Sequence, residues 1–183
     1  MINKETDAIL VVDLQNDFID GSLAVPGAIS ILPKVEEYVK KFDHRFFSAD
    51  FHPFNHSSFK EQGGPWPPHC IAGQHGSSFH KILYPFTATI IKKGTEVEKD
   101  AYSAFDGTDL AQQLKDLGVK RLFICGLATD YCVKATVLDA CQQFNGEVFF
   151  LLDAIAAVDI NPGDGLAAIQ EMTNAGAVPV ATH

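Results

Sequence analysis

Basic residues are scarce in this chain, and nowhere do they cluster. Lys and Arg total 14 against 23 Asp and Glu, a formal net charge of −9. Nucleic-acid backbones are held by clustered Lys and Arg, so nucleic acid is a poor partner class. The same acidic surplus would repel an anionic membrane surface. Long apolar runs are missing as well: nothing approaches the roughly 20 residues of a membrane span. The opening MINKETDAILVVDLQNDF holds an apolar stretch too short for a signal peptide. Cysteine is sparse, and Cys70, Cys125, Cys132 and Cys141 form neither a CxxC pair nor a disulfide framework. Together these absences predict a cytoplasmic protein with reduced thiols. Repeats, low-complexity tracts and linkers are absent too.

What is present is the ordinary mix of a globular domain, 46% hydrophobic and 20% charged over 183 residues. That length suits one domain, residues 1–183, with a full core. Short apolar runs alternate with amphipathic stretches. Residues 8–12 (AILVV) read as a strand buried on both faces. Ile31, Leu32, Val35, Tyr38, Val39 and Phe42 recur at helical spacing. Further strands are expected at 45–49, 87–92, 121–125, 147–152 and 178–180. Further helices are expected at about 108–117 (entered at Thr108, ended by Gly118), 130–144 and around Leu166 to Met172. This alternation predicts a three-layer α/β/α fold on a mostly parallel six-stranded sheet.

One stretch breaks the rhythm. Residues 51–85 show no clear period and hold His52, His56, His69, His75, His80 and Trp66. A structureless segment of that length inside a compact domain is commonly functional or disordered. The His and aromatic content favours an ordered active-site loop.

Asp13, Asp50 and Lys93 each stand at or just past the carboxyl end of an expected strand, and Cys132 lies seven residues beyond another. Open α/β sheets bind ligands outside those ends. In GLATDYCV, Thr129 or Asp130 can cap a helix whose first-turn N–H groups face the Cys132 thiol. Such a position favours a thiolate and offers an oxyanion hole. Cys125 and Cys141 read as structural thiols, while Asp50, His52, His56 and His69 offer an Asp, His, His set able to bind a divalent metal.

The segments VVDLQNDF, SADFHPFNHSSF, WPPHC, KKGTEVEKDAYSAF and GLATDYCV resemble, in order and separation, the nicotinamidase/pyrazinamidase branch of the isochorismatase-like cysteine hydrolases. The resemblance runs through nearly the whole chain. It implies a catalytic triad of Asp13, Lys93 and Cys132, with Lys93 preferred to Lys92 because it precedes Gly94. It implies one divalent metal ion (zinc, iron or manganese) on Asp50, His52 and His69, with His56 as a fourth ligand in some members and Glu61 as an outside candidate. Phe18, Trp66 and Tyr102 fall where the family packs groups against a pyridine ring. A non-proline cis peptide is implied at Leu127-Ala128, and an oxyanion hole from the Ala128 and Cys132 N–H groups. Tyr131 occupies a variable position and is given no role.

The activity implied is hydrolysis of nicotinamide or pyrazinamide through a Cys132 thioester, in salvage of nicotinamide for NAD, by a monomer or homo-oligomer. Two rivals are weighed against it. Another isochorismatase-like hydrolase would act on a vinyl ether, amide or N-carbamoyl compound, and a metal- or nucleotide-binding module would not act at all. True isochorismatases lack the nucleophilic cysteine and have no use for the metal loop, so Cys132 and Asp50-x-His52 count against the first, and the second has no need for Asp13, Lys93 and Cys132 together.

Overall fold

Strand β1 (Asp7–Val12) is buried along its entire length, as an apolar run without alternation requires. It forms the middle of a six-stranded sheet, described in a computed structural model over residues 2–181; Met1, Thr182 and His183 lie outside the described residues. The other strands are β2 (His44–Asp50), β3 (Thr89–Lys93), β4 (Arg121–Leu127), β5 (Glu147–Ala156) and β6 (Val178–Val180). Their order is β3-β2-β1-β4-β5-β6, and every pairing is parallel. The expected six strands are thus all present. Order reverses between β1 and β4, and a crevice opens there at the carboxyl ends.

The helices are α1 (Asn16–Ile19), α2 (Ala28–Val39), α3 (Leu110–Asp116), α4 (Lys134–Gln143) and α5 (Asp164–Asn174). Alternate residues of β1 feed two separate cores. Ile9 and Val11 pack with Ile31, Val35 and Val39 of α2, and Ala8, Leu10 and Val12 pack with Leu114 of α3, Val137 of α4 and Met172 of α5. Among the described residues, no helix is long and apolar enough to cross a membrane.

Two strands outrun their expected ends. β4 continues to Leu127 and β5 to Ala156, paired through Gly126↔Ile155 and Leu127↔Ala156 after an irregularity in register. Gly126 makes this possible: it sits at φ 113°, and a side chain there would run into the Val12 backbone. Cys132 therefore follows its strand more closely than expected. The irregular stretch from residue 51 is folded, with 3₁₀ turns at Lys60–Gln62, His75–Ser77 and Lys81–Leu83. Bridges from His52 to Ile71 and from Phe59 to Trp66 tie it together.

Candidate active site

β1, β2, β3 and the segment after β4 deliver Asp13, Asp50, Lys93 and Cys132 to one point. Asp13 turns the chain out of β1 at φ 49°, a conformation Asp tolerates better than most residues. Its Oδ1 accepts a hydrogen bond from the Ser48 hydroxyl at 2.7 Å. Asp50 is clamped by Gln15, whose amide donates to the Asp50 carbonyl and accepts from the Asp50 N–H. Gln15 was quoted in a motif and given no role, yet it sets where that carboxylate points.

Lys93 is buried, and its ammonium is the hub. It donates to Asp50 Oδ1, to the Ala101 carbonyl at 3.1 Å and to Cys132 Sγ at 3.4 Å. Those contacts use its three hydrogens. Asp13 Oδ2 lies 2.9 Å from the ammonium as its ion-pair partner. Carboxylate oxygens of Asp13 and Asp50 and the Cys132 Sγ all fall within 4.8 Å of one another. A carboxylate able to take a proton thus faces the thiol.

The charge states follow from burial and pairing. Burial works against the Lys93 ammonium, but Asp13 and Asp50 outweigh it and hold its pKa well above the usual value. Burial would raise Asp50, but Lys93 and His52 hold it well below the usual carboxylate range. Asp13 ends up raised, since burial there exceeds what Lys93 restores. The Cys132 thiol is pushed well up by burial, against Lys93, with Asp13 and Asp50 adding to the rise. Burial, and after it Asp13 and Asp50, thus work against the thiolate that the helix end and Lys93 favour.

The expected cap is corrected. Residues Thr129–Val133 form a π-helical turn entered at Ala128, with no side-chain cap. Asp130 instead accepts from the Val158 and Asp159 N–H groups, at 2.9 and 2.8 Å. The Ala128 carbonyl accepts from Tyr131 and Val133 at 3.1 and 3.0 Å, and the Cys132 N–H between them is passed over. The Leu127-Ala128 peptide is cis, as expected.

Asp50, His52 and His69 place ligand atoms within 4.8 Å of one another. Asp50 Oδ2 is 3.5 Å from His52 Nε2 and 3.9 Å from His69 Nε2. Each Nδ1 is tied to a backbone carbonyl, His52 to Gly94 and His69 to Pro67, both at 2.8 Å. Because Nδ1–H must donate to those carbonyls, the Nε2 lone pairs turn inward toward a carboxylate oxygen. Such a convergence of two imidazole lone pairs on a carboxylate oxygen suits a divalent cation. Burial pushes His52 down, but Asp50 outweighs it and raises its proton affinity; burial lowers His69. The donor set fits a divalent ion. Gly94 lets His52 in: a Cβ there would lie 2.7 Å from its Nδ1.

His56 stays outside that group. Its ring stacks on His52 at 4.0 Å, with Nδ1 against the Ser58 hydroxyl and Nε2 against the Lys99 carbonyl. It joins instead a separate grouping of His52, His56 and Asp100. Glu61 sits exposed on the first 3₁₀ turn, away from either group.

A cavity of about 50 Å³ joins the thiol to the Asp50 and His69 end, with Phe18, Trp66 and Tyr102 in its wall as expected. The Trp66 indole N–H donates to the Tyr102 hydroxyl at 3.0 Å. Tyr131, which was given no role, also lines it and meets Trp66 edge-on at 5.1 Å. Its only signal was adjacency to Cys132.

Comparison with known proteins follows the same lines. The isochorismatase domain family matches residues 7–183. The nicotinamidase of Escherichia coli K12 is 37% identical, over 93% of this chain and 92% of that protein. The pyrazinamidase of Pyrococcus horikoshii, solved in complex with zinc, superposes with a TM-score of 0.88 at 44% identity, over 96% of this chain and 99% of that one. PnC1 of L. infantum, solved with nicotinate, gives 0.90 at 35% identity, over 100% and 98%. A parallel sheet whose carboxyl edge joins a buried Lys–Asp–Cys group to an Asp-His-His set, on a chain matched end to end, makes this protein a member of the isochorismatase family.

Proposed function

We propose that the chain, as one hydrolase domain of residues 1–183 in the cytoplasm, is a nicotinamidase that also hydrolyses pyrazinamide. The observation that carries this reading is the buried Asp13 carboxylate, 2.9 Å from the Lys93 ammonium and within 4.8 Å of the Cys132 thiol that Lys93 also touches. Asp13 takes the thiol proton while Lys93, held charged, stabilises the carboxylate and the thiolate in turn. Cys132 Sγ adds to the carboxamide carbon, and the Ala128 and Cys132 N–H groups receive the developing oxyanion. Collapse breaks the C–N bond as Asp13 returns its proton to the departing ammonia. Water, deprotonated by Asp13, then cleaves the thioester to give the carboxylic acid and restore the thiol. Phe18, Trp66, Tyr102 and Tyr131 supply an apolar slot for a single aromatic ring.

Asp50, His52 and His69 would hold the metal. When bound, a divalent ion (zinc, iron or manganese) supplies a Lewis-acid anchor for the ring nitrogen. The direct test is ammonia release from nicotinamide by the full chain, run beside a metal analysis. Release no faster than the uncatalysed background would refute the reading. Chelation is expected to suppress release, and adding back zinc, manganese or iron to restore it to differing degrees. His52→Ala should stay suppressed. A metal-free preparation with the full rate would leave His52 and His69 as structural residues only.

The neighbouring lysines separate cleanly. Lys93→Met should lower kcat about 100-fold, the scale for losing one preorganised charge-stabilising donor, and should also lower Tm because two buried carboxylates lose their cation. Lys92 is exposed, its ammonium over the Phe51 ring at 4.0 Å. Lys92→Met should leave both quantities near native. The reverse pattern in steady-state rates would assign the wrong lysine.

A further inference from the structure

The VVDLQNDF run carries a second carboxylate, Asp17, that the chemistry above does not use. It leaves the single turn of α1 and crosses to the loop that bears His69. Asp17 Oδ2 accepts the Cys70 N–H at 2.7 Å, and Oδ1 accepts the Ser22 N–H at 3.3 Å. The Ser22 hydroxyl in turn donates to the Pro68 carbonyl at 2.8 Å. Both chain neighbours of His69 are thus held from the same place, Cys70 directly by Asp17 and Pro68 through Ser22.

The need for such a hold is visible in the backbone. Cys70 sits at φ 47°, a region that non-glycine residues occupy only when their surroundings impose it. Its carbonyl accepts the His52 N–H at 3.1 Å, and the His52 carbonyl accepts the Ala72 N–H at 2.8 Å. The turn at Cys70 therefore sets His69 and His52 relative to each other. Room for the carboxylate is made by glycine: a Cβ on Gly76 would collide with both Asp17 oxygens, and one on Gly21 with Oδ1. The Asp17 carbonyl also accepts the Leu23 N–H at 3.1 Å, and Leu23, Ala24 and Val25 line the cavity. One residue joins the lip of the cavity to the loop of a metal ligand.

We propose that Asp17 is a positioning residue: by gripping the backbone on either side of His69, its carboxylate sets the affinity of the Asp50, His52 and His69 group for a divalent ion. The proposal rests on the metal reading given above and deepens it. What acts is the hydrogen bond to the Cys70 N–H, since a carboxylate and a carboxamide can both accept it while only the first carries charge. Partners of metal ligands typically tune affinity by 10–100-fold.

The test is zinc affinity of the metal-stripped full chain, measured by competition with a chromogenic chelator, with the Tm of each apo variant taken alongside. Asp17→Ala should weaken zinc by about 10–100-fold, and Asp17→Asn by only a few-fold, because its one carbonyl oxygen still accepts from Cys70 while its NH2 gives up the 3.3 Å bond from Ser22. Should Asp17→Ala fail to fold, Ser22→Ala serves instead. Ser22 is exposed and loses only the bond to Pro68, and zinc should weaken a few-fold, on the order expected for one such bond. Native zinc affinity in folded Asp17→Ala, or in Ser22→Ala where that variant stands in, overturns the proposal and leaves the metal reading intact. Equal weakening by Asp17→Ala and Asp17→Asn overturns it as well, by assigning the effect to charge. Parent zinc binding that survives His52→Ala undetached sinks the metal reading and this proposal with it.

Discussion

Cys132→Ala is expected to lower ammonia release from nicotinamide by about 10⁶-fold, the scale on which removing a covalent nucleophile disables a hydrolase. The alanine leaves the cavity, the metal-ligand group and the Asp13–Lys93 pair in place, but no atom remains to form the thioester. Cys132 is only 6% exposed and packs with Val133 and Val137, so loss of its sulfur should cost about 1 kcal/mol of stability and leave a folded protein that binds zinc. Steady-state turnover, Tm and zinc content on one preparation separate these effects. Turnover near the native rate would rule out the covalent route. A pH profile of the parent adds a second check on the same chemistry. Asp13 must be ionised to take the thiol proton, and burial raises its pKa. The acid limb should therefore fall above the ordinary carboxylate range as Asp13 gains its proton. Rate at alkaline pH persists until Lys93, held well above its usual value, begins to lose its charge.

The surroundings of the thiol also bear on which cysteine a reagent meets first. Thiolate character and exposure govern alkylation, and at Cys132 both are low, whereas Cys141 is only partly buried. A bulky reagent should meet Cys141 first. The sequence expresses only part of this. GLATDYCV displays the helical turn and its dipole but not the burial that pushes the thiol upward, nor Asp13 and Asp50, which add to that push from two other strands. Strand β1 was legible because burial on both faces writes a continuous apolar run. Asp13, Asp50 and Lys93 were legible because each ends such a run, and three such ends fall on one edge of a parallel sheet.

Other features left no local trace. Gly126 reads as a strand terminator and is in fact the residue that lets β4 continue past Val12 to meet the far end of β5. Asp130 reads as a cap, and its partners Val158 and Asp159 lie 28 and 29 residues further along the chain. His56 has the chemistry of a ligand and stacks on His52, with its ring nitrogens against Ser58 and the Lys99 carbonyl. Tyr131 gains its place in the cavity only when Trp66 and Tyr102 fold in from the loops. Apart from Ser58 beside His56, the deciding contacts are long-range, so period and propensity carry no record of them.

Discrimination between nicotinamide and benzamide should be nearly as decisive as loss of the thiol. The two substrates share ring size, carboxamide and leaving group, and they differ by a nitrogen replaced with C–H. Inside the cavity the aromatic wall of Phe18, Trp66, Tyr102 and Tyr131 would receive both rings alike. The thiol at one end and the Asp50 and His69 end opposite impose two points of recognition, and only the pyridine ring has a polar atom for the second. A buried polar group left without its partner rejects an isostere far more strongly than an apolar pocket rejects a missing methylene. The expected penalty is roughly 10³-fold or more in kcat/KM, or about 4 kcal/mol. Pyrazinamide keeps a ring nitrogen in the same relation to its carboxamide and should be hydrolysed readily. The outcome also locates the effect: with His52→Ala the preference for nicotinamide should shrink toward unity along with the overall rate, because the end that reads the nitrogen is then disabled. Equal kcat/KM for benzamide and nicotinamide in the parent would remove the ring-nitrogen anchor and leave Cys132 as the nucleophile of a general aromatic amidase.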